Sequence, residues 1–112
     1  MKTILHIADY GGPYAGNFIS SLLHLKEVVA EELGLGTVLV FSKIAEGCPW
    51  LKLVLEKEVP VLFIDKRMPR LKRFQTVTAI AKEYDAVPLH SHFTSFDVDA
   101  AVAAKRLGIK VV

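Results

Sequence analysis

At 112 residues, with 52% hydrophobic and 23% charged side chains, the chain has the composition of one folded domain and not of a disordered segment. A formal charge of +2 is too small to point to nucleic acid, and a single cysteine, Cys48, excludes an internal disulfide and fits a reducing compartment. No apolar run approaches the ~20 residues of a membrane span, and His6 and Asp9 interrupt the stretch that begins like a signal segment, so a cytoplasmic location is expected.

In chain order, residues 3–8 form a compact apolar run that predicts a buried strand. Phe18, Leu22, Leu25, Val29 and Leu33 recur at steps of three and four, the spacing of one helix face, and Gly34 and Gly36 stop that helix. Residues 37–41 predict a second strand. Residues 49–58 predict a helix with Pro49 at its first position. A third strand is expected over 60–64, and Leu71, Phe74, Val77, Ala81 and Tyr84 mark another helix face. Residues 86–90 predict a fourth strand, 97–107 a helix ending at Gly108, and 109–112 a fifth strand. Apolar strands alternating with helices predict a three-layer α/β/α Rossmann-like sandwich with a mostly parallel sheet of about five strands. Pro88 conflicts with a central strand, because it lacks the ladder N–H; the strand either starts near Leu89 or is bulged. The last residues fall inside an expected strand, so 1–112 is expected to be a single domain that is a fragment or an excised piece of a longer chain.

In such sheets ligands sit beyond the carboxyl ends of the strands. The segment Asp9–Asn17 is glycine-rich there, but Gly11-Gly12-Pro13 does not supply G-x-G-x-x-G, and the second strand ends at Ser42-Lys43 without an acid for a ribose hydroxyl. Gly11 and Gly16 have Walker A spacing, but Asn17-Phe18 replace its lysine and hydroxyl residue. Two readings stay open: a tight turn, or an anion site at a helix N-terminus with Gly16 close to the ligand and Asn17 as N-cap.

His90 and His92 point the same way on an extended segment, and serve packing or a polar ligand. Zinc needs a third ligand. Asp9 and Asp97 are the candidates, no C-x-x-C or H-E-x-x-H pattern supports them, and no metal is expected. Thr94 and Asp97 match a capping box. Five of the eight residues 66–73 are basic, a solvated face or a field for an anionic acceptor or anionic lipid heads. Cys48 and Trp50 read as packing residues or a loop lip.

The segments ILHIADYGGPYAGNFISSLLHL, VLVFS and YDAVPLHSHFTSFDVDAAVAAKRLGIKVV together resemble the N-terminal domain of GT-B glycosyltransferases of the family-four type. The resemblance implies transfer of a sugar from a nucleotide-diphosphate donor to a sugar or lipid acceptor, with no other cofactor. It implies Gly12, Gly16 and Asn17 near the donor diphosphate, and Asp9, Tyr10, His90 and His92 on the acceptor side. Lys66, Arg67, Arg70 and Arg73 become an anionic-acceptor or peripheral inner-membrane contact. It also implies a nucleotide-gripping C-terminal domain as partner, without which 1–112 is expected to be inactive. Pro88 stands where the family often has a histidine, and no catalytic residue is assigned within this stretch. Two other readings are carried: a receiver-type signalling domain with Asp65 as phosphoacceptor, and a non-catalytic folding or binding module able to pair between copies through a sheet edge.

Overall fold

The computed structural model describes residues 1–93 and 95–112. Five parallel strands form one sheet in the order β3-β2-β1-β4-β5: β1 Thr3–Ala8, β2 Gly36–Ser42, β3 Val61–Ile64, β4 Ala86–His92 and β5 Lys110–Val111. The expected α/β Rossmann-like architecture is therefore present, with every pairing parallel. Helices α1 (Gly16–Leu33) and α2 (Leu51–Leu55) cover one face, and α3 (Arg70–Glu83) and α4 (Asp97–Leu107) cover the other.

Period-two alternation divides the core between the faces. Leu5, Ile7, Val38, Val40 and Leu89 pack against Val77, Ile80 and Ala81 of α3 and the alanines of α4. Ala8, Leu39 and Phe41 face Ile19 and Leu22 of α1, Trp50, and Val54 of α2. Small residues let α4 lie close: Ala100, Ala103 and Ala104 are all buried. Gly34 (φ 66°) and Gly108 (φ 66°) end α1 and α4 in the left-handed conformation that glycine adopts without penalty.

The Pro88 conflict resolves as a bulge. Thr3 pairs with Ala86 but Leu5 pairs with Leu89, so β4 spends an extra residue around Pro88 and the ladder resumes beyond it. Other local expectations shift. The helix expected over 49–58 contracts to α2, preceded by a 3₁₀ turn at Lys43–Gly47, and Pro49 lies just outside it. Gly36 opens β2 and does not stop α1. Leu33 and Leu71, expected on helix core faces, are 65% and 60% exposed because they occupy terminal turns of α1 and α3. Thr94 of the expected capping box lies outside the described residues. No helix among the described residues is long and apolar enough to cross a membrane.

Candidate functional site

The chain runs outward from β1 to β2 and β3, then crosses back to place β4 on the other side of β1. The strand order reverses between β1 and β4, the switch point beyond whose carboxyl ends ligands of such sheets sit. Asp9 and Tyr10 follow β1, Lys66 and Arg67 follow β3, and Phe93 and Ser95 follow β4. The expected residues therefore share one edge of the sheet.

Asp9 ties these loops together. Its Oδ2 accepts from Lys66 Nζ at 2.6 Å and from Ser95 Oγ at 2.7 Å. Burial pushes the carboxyl up, but the hydrogen bonds from Lys66 and Ser95 and the charge of Lys66 outweigh it and hold the group below the usual carboxylate range. Asp9 is thus an ionised tie across the β1, β3 and β4 loops, with both bonds accepted by Oδ2.

The glycine loop is held by aromatic residues. Tyr10 donates its hydroxyl hydrogen to the Tyr14 carbonyl (2.6 Å), and Trp50 Nε1 donates to the Gly12 carbonyl (2.8 Å). The Tyr10 ring packs on Phe18 (5.0 Å between centroids), Trp50 (5.6 Å) and Phe93 (6.0 Å). A Cβ at Gly11 would lie 2.6 Å from Ile44 Cγ2, so the exposed Ile44 side chain would have to move to admit one. Gly16 is required by backbone: its φ is +55°, yet a Cβ would meet nothing closer than Tyr10 Oη at 3.7 Å. An L-residue at Gly16 costs about 1 kcal/mol from conformation alone.

Asn17 is not the expected N-cap. Ala15 occupies that position without a side-chain bond, and Asn17 is an exposed residue of the first turn. The first helical bond runs from Ile19 N–H to the Ala15 carbonyl (3.2 Å), so the N–H groups of Gly16, Asn17 and Phe18 precede the ladder. No acidic side chain lies in that turn to compete with an anion.

On the α1 side of the sheet, sequence reasoning had overlooked His6. It lies opposite His90 in the β1–β4 register, as Ala8 lies opposite His92. His90 and His92 stack at 3.9 Å, and the His6 ring lies 5.3 and 5.2 Å from them. His6 Nδ1 and His92 Nε2 are 3.0 Å apart, one donating to the other, and both imidazoles are neutral in that bond. Burial, then the neighbouring charges of His92 and His90, push His6 down to about 3, and burial and His90 push His92 down to about 4. His92 also borders an open cleft of about 340 Å³ along α1, beside Phe18 and Leu22. The overlooked signal was parity: His6 shares the face of Ala8, but only the pairing register shows which histidine it meets.

Phe93 was overlooked too. It follows β4 with φ +65°, rare for a bulky residue, and sets its ring edge-on to Phe18 at 5.0 Å. Backbone strain of this kind is about 1–3 kcal/mol. The ring is half exposed.

Three cations of the basic run have partners within the fold. Lys66 is paired with Asp9, and Arg67 donates to Asp65 from its backbone, Nε and Nη2. Arg73 turns inward to Asp99 at 2.6 Å and also donates to the Ser95 and Lys66 carbonyls. Only Arg73 is withdrawn from solvent, with a side chain 19% exposed; Lys66 and Arg67 keep their ion pairs while remaining exposed, as are Arg70 and Lys72. A separate cavity of about 410 Å³ beyond β2 and β3 is lined by Lys43, Glu46, Asp65, Lys66 and Arg67, a mixed-charge wall.

No protein family and no curated protein sequence matches the chain. Among solved structures, the crystal structure of Acinetobacter baumannii MurG matches with a TM-score of 0.70 at 16% identity, over 99% of this chain and 34% of that one. The likeness establishes a shared fold, and this chain spans about a third of the length of that protein.

Proposed function

We propose that this chain is the N-terminal, acceptor-side domain of a glycosyltransferase that moves a sugar from a nucleotide-diphosphate donor to a sugar or lipid acceptor. The observation that carries the reading is the likeness of 99% of the chain to MurG, a glycosyltransferase of the GT-B fold. The sequence resemblance to the family-four type supports the same reaction class from different evidence.

In this reading the donor diphosphate approaches the N–H groups at Gly16 and Asn17, where α1 offers backbone donors and a positive dipole end. Gly12 lies on the same loop, its carbonyl turned to Trp50. His90 and His92 face the acceptor along the cleft beside α1. Asp9 and Tyr10 line the acceptor side, with Asp9 Oδ2 held by Lys66 and Ser95 and the Tyr10 hydroxyl by the Tyr14 carbonyl. Of the basic run, the exposed Lys66, Arg67 and Arg70 would meet an anionic acceptor or the cytoplasmic face of a membrane, whereas Arg73 is committed to Asp99. The reaction needs a second domain to hold the nucleotide, and isolated residues 1–112 are expected to be inactive.

The strand order disfavours the receiver-type alternative. Its order would be 2-1-3-4-5, with the third strand beside the first. Here β2 separates β3 from β1, and Asp65 is occupied by Arg67.

Amide NMR of the chain titrated with a nucleoside diphosphate tests the donor assignment. Millimolar ligand is expected to shift Gly12, Gly16 and Asn17 selectively. Unmoved signals over residues 11–18, with or without shifts elsewhere, would remove this loop from the donor site.

A further inference from the structure

We infer that His6, His90 and His92 form a binding site for a borderline transition-metal ion such as Zn²⁺, with the cleft along α1 supplying access to a fourth, water-filled position. One ring nitrogen from each histidine lies within 4.8 Å of one from each of the others. His6 Nδ1 and His92 Nε2 already face each other at 3.0 Å. Two nitrogens on one tetrahedral Zn²⁺ with bonds of 2.0–2.1 Å are about 3.3 Å apart. A small opening of this pair would admit the ion in place of the shared proton.

The donor set is suited to the task. Three imidazoles and no carboxylate favour zinc, cobalt, nickel or copper over magnesium or calcium. His6 is 1% exposed, and its Nε2 has no partner among the described residues, so only another histidine engages this ring. Adjacent strands β1 and β4 fix all three backbones, and the rings of Phe18 and His92 meet edge-on at 5.2 Å. His92 lines the cleft of about 340 Å³, which gives the ion a route in and leaves a coordination position for water. The expectation of no metal rested on the lack of a metal-binding pattern, with Asp9 or Asp97 as candidate third ligands; the strand register brings His6 to that place instead. Such an ion neither requires nor implies sugar transfer.

The test is Zn²⁺ titration by calorimetry near neutral pH on the chelator-treated chain, with Co²⁺ absorption as an independent readout. The expected result is one ion per chain and a visible Co²⁺ spectrum of tetrahedral intensity. Affinity should fall at least about tenfold in both His90→Gln and His92→Gln. These two residues are partly exposed, and circular dichroism verifies that each variant is folded. His24→Gln, on the exposed surface of α1, should leave binding unchanged. Absence of binding in the wild-type chain overturns the site, as does binding that survives both β4 substitutions or disappears with His24. If one β4 variant does not fold, the other and the wild-type Co²⁺ spectrum decide the question.

Discussion

Arg73→Ala is expected to destabilise the domain by about 3 kcal/mol, or about 10 °C in Tm. Arg73 lies in the first turn of α3, where a cation opposes the helix dipole. What holds it there is Asp99 of α4, 2.6 Å away, with side-chain exposures of 19% for the arginine and 3% for the aspartate. The guanidinium also donates to the Ser95 carbonyl at 3.1 Å and lies over the Phe96 ring at 5.2 Å. Removing it strands a buried carboxylate and unfastens α3 from α4 where the β4 loop crosses. Asp99→Ala should cost less, because the arginine can still reach water. The Asp99→Leu/Arg73→Met pair should recover part of the loss, since burying no charge is cheaper than burying one unpaired. Urea unfolding of these variants checks the order; equal stability of Arg73→Ala and wild type would show that the pair contributes nothing.

Acid is expected to weaken the metal-free domain well before its carboxylates titrate. His6 is held at about 3 in the fold, against 6.5 for an ordinary imidazole. As pH falls through about 6.5 the unfolded chain binds a proton that the folded chain refuses, so stability declines with falling pH until about 3. From about pH 8 to about pH 5 this amounts to about 2 kcal/mol for His6 alone. His92, at about 4, contributes with the same sign, coupled to His6 and not additive with it. Urea midpoints should drop across this range, and His92→Gln should flatten the slope. A midpoint constant from about pH 5 to about pH 8 would mean that the cluster takes up protons without cost.

The elements were legible because apolar periodicity changes from two to about 3.6 at each strand–helix boundary, punctuated by Gly34 and Gly108. Their alternation along the chain also placed the candidate loops at the carboxyl ends of the strands. Long-range commitments were not legible. Arg73 looks like part of a basic face until α4 brings Asp99 beneath it. Asp9 stands alone in sequence, yet meets Lys66 and Ser95 from two other loops. His6 resembles an interruption in an apolar strand, and only a pairing register that includes the Pro88 bulge puts it against His90. Each of these depends on tertiary pairing across dozens of residues, which local pattern does not encode.

The proposed donor site rests on the start of α1, and two glycines of that helix allow a matched comparison. Gly16 (φ +55°) and Gly34 (φ +66°) bracket α1, and neither would bring a Cβ into a close clash. Gly16→Ala and Gly34→Ala therefore carry similar backbone costs at opposite ends of one helix. The decisive measurement is transfer from nucleotide-diphosphate sugars by the longer enzyme that this reading implies, with and without each substitution. Transfer should be detected, with kcat/KM for the donor falling about tenfold or more in Gly16→Ala and remaining near wild type in Gly34→Ala. No transfer from any nucleotide-diphosphate sugar, or equal effects of the two substitutions, would contradict the account.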